Sequence, residues 1–204
     1  MKILAVGAHP DDIEYSCFGF LRKMQKKGCE IYILVMSVGE RGADPREYNR
    51  EKEQRSAFES SGFTGIFIRN YKDGELKCNV QLISDIESVV KQVGADLVLT
   101  HYIDDYHQDH RAVAQATIAA CRNAGAVLFY QSYSALNFVP EIYVSIDAEI
   151  EEKRGILQCF DSQLRKNMDK GIDFIESAVA TNRYHGVFSQ SEYAEGFRVF
   201  KILM

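Results

Sequence analysis

Four of the five histidines of this 204-residue chain fall in two short segments. One reads His9-Pro10-Asp11-Asp12, and the other runs His101-Tyr-Ile-Asp-Asp-Tyr-His-Gln-Asp-His110. Imidazole and carboxylate are common ligands of a catalytic divalent metal, and catalytic zinc usually has three protein ligands and one open position. His9, Asp12 and His110 are the expected trio, with Pro10 stiffening the turn that brings Asp12 back toward His9. Zn2+ is the expected ion, and Fe2+ is the alternative because two histidines and a carboxylate suit it too. Asp11 sits beside a ligand without needing to be one, and is expected to act as general base toward water whose pKa zinc lowers to about 7. His107 is expected to stabilise the oxyanion, or to donate a proton, as an amide carbonyl is attacked. Asp109 is expected to hold the other His107 nitrogen and so favour the charged ring.

Each segment alone has a plainer reading. Pro-Asp-Asp makes an ordinary turn followed by a helix cap, and the second segment reads as an acidic surface loop with incidental histidines. His101 is as well explained by a structural role as by support of a ligand. The decision rests on the elements that carry the two segments. Short apolar runs predict strands at 3–8, 30–36, 65–68, 96–100 and 126–130, and helical spacing predicts helices at 13–27, 46–60, 80–93 and 111–123. That alternation implies an α/β fold: a Rossmann-like, doubly wound, mostly parallel sheet with helices on both faces. With strand order 3-2-1-4-5, strands one and four meet where the order reverses, and ligands bind beyond their carboxyl ends. Both histidine segments follow those strands, so they should face each other. Beyond residue 131 the pattern loosens, with strands expected at 142–146 and 197–203 and helices at 149–160 and 172–181.

Composition narrows the class. Hydrophobic residues make up 46% and charged residues 26%, as in a globular protein, and one domain spanning 1–204 is the simplest account. A net charge of -5 argues against nucleic acid or an anionic membrane as partner. The five cysteines are widely spaced and form no CxxC pair, so free thiols in a reducing cytoplasm are expected. A Gly-x-Gly-x-x-Gly phosphate loop is missing after the first strand, where Gly7-Ala-His-Pro-Asp-Asp12 stands instead.

The residues resemble the LmbE/PIG-L family of zinc-dependent N-acetyl-sugar deacetylases. His9-Pro-Asp-Asp-Ile-Glu14 and His107-x-Asp-His110 carry the resemblance. Ser37-Val-Gly-Glu-Arg-Gly42, Asp73-Gly-Glu-Leu76 and Tyr193-Ala-Glu-x-Phe197 extend it over nearly the whole chain. The resemblance implies zinc on His9, Asp12 and His110, Asp11 as base and His107 at the oxyanion. It also implies that Arg50 and Asp73 hold sugar hydroxyls or a phosphate substituent and that Glu40 lines the pocket, where each could equally support its loop. The implied reaction removes the N-acetyl group from an N-acetylglucosamine-type sugar or conjugate, giving acetate and a free amine. The alternatives are a sugar or nucleotide-sugar binding protein without turnover, or an amidase of the same fold acting on another amide. Self-association is left open. One departure is Asp104-Asp105-Tyr106 before His107, which makes Tyr102 and Tyr106 candidates for substrate contact.

Overall fold

The computed structural model describes residues 1–44 and 46–203. In chain order the elements are β1 (Lys2–Gly7), α1 (Asp12–Lys26), β2 (Glu30–Ser37), α2 (Arg50–Ser61), β3 (Gly65–Tyr71), α3 (Val80–Val93), β4 (Leu97–His101), α4 (Gln108–Ala120) and β5 (Ala126–Tyr130). Then come β6 (Ile142–Ser145), α5 (Ile150–Leu157), α6 (Asp161–Met168), α7 (Phe174–Ser189) and β7 (Ala194–Ile202). One sheet runs β3-β2-β1-β4-β5-β7-β6. Its first five strands are parallel, in the order expected from sequence, while β7 is antiparallel to both β5 and β6.

Successive strand residues face opposite sides of a sheet, and β1 divides its apolar residues accordingly. Ile3 and Ala5 join Ile31, Ile33, Leu97 and Leu99 against α1 residues such as Leu21. Leu4 and Val6 join Leu34, Met36 and Val98 against Leu82 and Ile86 of α3 and Val113 of α4. Each such side chain, fully withdrawn from water, contributes about 1.5–3 kcal/mol. Two cores on one sheet fix the strands, and the strands fix where their carboxyl-end loops emerge.

Several boundaries differ from the sequence expectation. Helix α2 begins at Arg50 rather than residue 46, because the Asn49 side chain accepts the Lys52 N–H and caps it there. Helix α4 begins at Gln108 rather than 111, because the His107 ring accepts the Asp109 N–H. Strand β3 extends to Tyr71 and β7 begins at Ala194. The segment expected as one helix over 149–160 is α5, followed after Phe160 by the unanticipated α6. Helix α7 runs to Ser189, well past residue 181. Among the described residues, no helix is long and apolar enough to cross a membrane.

Candidate active site

Strands β1 and β4 are hydrogen-bonded neighbours, Ile3 lying opposite Leu97, so the loops that leave them meet as the strand order requires. Asp12 is the centre of the junction. Its Oδ2 accepts the His9 N–H at 2.7 Å and the Ala8 N–H at 3.0 Å, which pins the carboxylate over the end of β1. His9 Nδ1 lies 3.6 Å from Asp12 Oδ2, and His110 Nε2 lies 3.3 Å from Asp12 Oδ1. The sequence-predicted trio is therefore brought together, from loops about a hundred residues apart.

The opposite nitrogen of each imidazole is held by carboxylates. His9 Nε2 lies 3.1 Å from both Asp73 Oδ1 and Asp109 Oδ2. His110 Nδ1 lies 3.0 Å from Asp105 Oδ2 and 3.1 Å from Ser134 Oγ. A carboxylate behind an imidazole fixes its tautomer and turn, leaving the other nitrogen's lone pair for a metal. Both free nitrogens face Asp12, so the donor set fits a divalent cation. Among the described residues the compact three-donor groups divide this trio among its neighbours rather than containing it whole. His9 with His107 and His110, Asp12 with His101 and His110, and His9 with Asp73 and Asp109 each offer three donor atoms within 4.8 Å of one another.

His101 supports Asp12 from beneath. It is fully buried, stacks on the His110 ring at 3.9 Å, and sets Nε2 3.2 Å from Asp12 Oδ2. Burial and the neighbouring His110 push its pKa down to about 4, so the ring is neutral. Burial works against charge on His110 too, but Asp12 and Asp105 outweigh it and lift the ring to about 9. Burial would raise Asp12, and the two imidazoles instead hold it well below the ordinary carboxylate range.

Asp11 occupies a left-handed backbone conformation, φ 82° and ψ -22°. A non-glycine residue there is strained and is held only by strong surroundings. The Asp11 N–H donates to Gln54 Oε1 at 3.2 Å, and Arg50 Nη2 donates to Asp11 Oδ2 at 2.7 Å and to the Pro10 carbonyl at 2.7 Å. Burial pushes the Asp11 carboxyl up to about 6 even though Arg50 pulls it down. Gly39 and Gly42 make room for this clamp, since a Cβ on either would stand within 2.3 Å of Arg50 Nη1.

One expectation is corrected, and for Glu40 the structure selects between the two readings the sequence left open. Asp109 does not hold His107 through its carboxylate. That carboxylate contacts His9 and accepts the Gly74 and Leu76 N–H groups at 2.6 and 3.2 Å. The contact with His107 is reversed, because His107 Nδ1 accepts the Asp109 N–H at 3.3 Å. His107 is therefore not biased toward its charged form, and burial together with His110 and His9 lowers its pKa. Glu40 is exposed and supports its loop, accepting the Asp73 N–H and the Ser37 hydroxyl. Tyr102 packs against Phe129 and Phe138 away from the site, and Tyr106 is 60% exposed.

The junction opens into a pocket of about 560 Å³ that includes His9, Asp11, Asp12, Arg50, Asp73 and His107. Its remaining wall went unseen in the sequence. Tyr15, Tyr133 and Phe174 bring aromatic faces, while Gln163, Lys166 and Lys170 bring polar ends from α6 and the turn after it. The ligand-supporting role of Asp105 was also missed, although three closely spaced acids around His107 were its signal.

Residues 4–121 match the family described as PIG-L: GlcNAc-PI de-N-acetylase. The chain is 37% identical over 155 residues to the uncharacterized deacetylase YaiS of Escherichia coli K12, covering 72% of this chain and 83% of that protein. It is 25% identical over 224 residues to the diacetylchitobiose deacetylase of Thermococcus kodakarensis, covering 97% of this chain and 82% of the relative. Its fold superposes with a TM-score of 0.87 on GalB, the 4-carboxy-2-hydroxymuconate hydratase of Pseudomonas putida KT2440, at 18% identity over 100% of this chain and 97% of that one. The matched segment contains both histidine loops and the loop of Asp73, and the chain belongs to the PIG-L family.

Proposed function

We propose that this single-domain chain is a metal-dependent N-deacetylase, zinc being the expected ion and iron(II) the alternative, that removes acetyl from the nitrogen of an N-acetylglucosamine-type sugar or conjugate in the cytoplasm. One observation carries the reading. His9 and His110 each have one nitrogen tied to a carboxylate and the other turned to Asp12, with Asp11 beside them in an open pocket. His9, Asp12 and His110 would hold the ion. When bound, a divalent cation supplies Lewis acidity toward the amide carbonyl and lowers the pKa of water.

The chain supplies the proton transfers. Asp11 takes the proton of the attacking water on a carboxylate oxygen and later delivers it to the departing amine nitrogen. Arg50 steers that carboxylate without neutralising it, and a carboxyl lifted by burial is a better base than an ordinary one. Because His107 Nδ1 is engaged by a backbone N–H, the proton of the neutral ring sits on Nε2, the nitrogen left free to donate to the carbonyl oxygen as charge develops there. His107 thus serves as a hydrogen-bond donor in its neutral state. Asp109, and Asp73 where it is not engaged by substrate, keep His9 in place.

The test is incubation of metal-loaded protein with a panel of N-acetylated sugars, sugar phosphates, nucleotide sugars and glycosyl conjugates, read by mass spectrometry. Acetate and a free amine from at least one member are expected. His9→Ala should lose bound metal and turnover together. Binding of panel members without acetate release would leave a binding protein instead. A second reading follows from the fold shared with the hydratase: addition of water to a carboxylated alkene, which yields no acetate and would appear only with such substrates.

A further inference from the structure

Four cationic side chains line the pocket, Arg41, Arg50, Lys166 and Lys170. Arg50 is engaged by Asp11, and Arg41 by Glu75 and the Asp73 carbonyl. The pocket's carboxylates are likewise occupied. Asp11 pairs with Arg50, Asp12 contacts His9, His101 and His110, and Asp73 contacts His9. None of these pairs includes Lys166 of α6 or Lys170 of the turn after it, which stand four residues apart. Partial burial and the positive charges of Arg50 and Lys170 lower the Lys166 pKa, and Asp11 and Asp73 only partly offset them. A concave wall whose exposed like charges are paired with no carboxylate attracts an anion, because the ligand relieves their mutual repulsion. Both lysines also lie beyond residue 121, where the family match ends, whereas the candidate metal ligands lie inside it.

We propose that the substrate is an acidic N-acetyl amino sugar whose phosphate or carboxylate seats against Lys166 and Lys170. The inference rests on the deacetylase reading and narrows it. A pocket of about 560 Å³ holds a substituted sugar with room to spare. Tyr15, Tyr133 and Phe174 supply the apolar faces against which a pyranose ring packs while its charged substituent reaches the lysines.

The test compares kcat/KM for N-acetylglucosamine, its 1-phosphate, its 6-phosphate and N-acetylmuramic acid. In the wild type an acidic sugar should exceed the neutral one by about 10- to 100-fold, the worth of one or two charge-assisted hydrogen bonds. The two phosphates and the carboxylate report which acid, and which position, is read. In Lys166→Gln/Lys170→Gln the ratio of acidic to neutral kcat/KM should collapse toward one, mainly through KM, and Lys166→Arg/Lys170→Arg should restore it. Raising the salt concentration should shrink the wild-type ratio. Equal kcat/KM for acidic and neutral sugars, or a preference that survives the double glutamine variant, overturns the proposal while leaving the deacetylase reading intact. If no sugar is deacetylated, that reading fails, and stabilisation of the wild type by inorganic phosphate decides the lysine site alone. Stabilisation that is lost in the double glutamine variant supports the site, and equal or absent stabilisation in the two proteins rejects it.

Discussion

Asp11 and Asp12 are adjacent identical residues with opposed electrostatics. Asp12 receives two backbone N–H groups and two imidazoles, which keep it ionised as a ligand should be. Asp11 has one guanidinium against the cost of burial and is lifted to about 6. The separation of roles predicts that Asp11→Asn keeps bound metal and loses turnover by about 10²–10⁴-fold, the usual worth of a general base. Metal content by mass spectrometry beside kcat checks it, and near-normal turnover in the variant would remove Asp11 from the mechanism. The support behind His110 gives a complementary prediction. In Asp105→Asn the ring loses its carboxylate partner but keeps Ser134, so metal affinity should fall about 10- to 100-fold, measured by competition with a chelator. The ligand trio and Asp11 were legible because their residue types are uncommon and their spacing falls at predicted strand ends. The partner of Asp109 was not, because a carboxylate two residues from one histidine and at the start of a helix can turn to another histidine a hundred residues away, and spacing does not say which.

The Tyr193-Ala-Glu-x-Phe197 segment finds its explanation at the scale of elements. Helix α1 departs from helical geometry at Cys17, φ -143° and ψ 17°, which disturbs the regular hydrogen-bond ladder. Glu195 of β7 reaches across, and its two carboxylate oxygens accept the Gly19 and Phe20 N–H groups at 2.9 and 2.6 Å. Lys153 of α5, fully buried, donates to the same carboxylate at 2.7 Å. Close packing at the kink also needs Gly19, whose added Cβ would stand within 2.8 Å of Ile146. Glu195→Ala strands a buried ammonium and two N–H groups together, so it should cost about 3–5 kcal/mol, read as a lower urea midpoint. Adding Lys153→Met should recover part of that loss, and a double variant no more stable than Glu195→Ala would show that the ammonium is not what is left uncompensated. The kink was invisible in sequence because Cys17 and Gly19 sit on a spacing that reads as one continuous helix. Helix α6 was equally hidden: Asp161–Met168 is polar and short, with little apolar periodicity to reveal it, yet it carries part of the pocket wall.

The whole molecule divides its labour along the chain. The parallel half ending with α4 carries the candidate metal ligands, and the loop after β5 with α6 and α7 supplies the rest of the pocket wall. The second half adds its own contribution to acid stability, beside that of the buried His101 in the first. His185 of α7 is buried beside Tyr143 of β6, its Nδ1 without a hydrogen-bond partner among the described residues, and a Cβ on Gly196 of β7 would meet its Cε1 at 2.9 Å. Burial, aided by Lys153, lowers its pKa to about 4, whereas an unfolded histidine titrates near 6.5. Between those values the unfolded chain binds the extra proton, so stability rises with pH there and is lost as pH falls from about 6.5 toward 4. One such group contributes a slope of up to about 1.4 kcal/mol per pH unit in that window. Carboxylates held below their ordinary range act in the same direction but at lower pH, since their folded and unfolded pKa values both lie under that of histidine. His185→Asn, which cannot titrate, should therefore flatten the stability curve chiefly between pH 5 and 6.5, whatever its stability at neutral pH. Urea unfolding at a series of pH values decides the matter. A variant whose slope in that interval equals the wild type's would mean that His185 takes up its proton without opening the β6–α7–β7 layer.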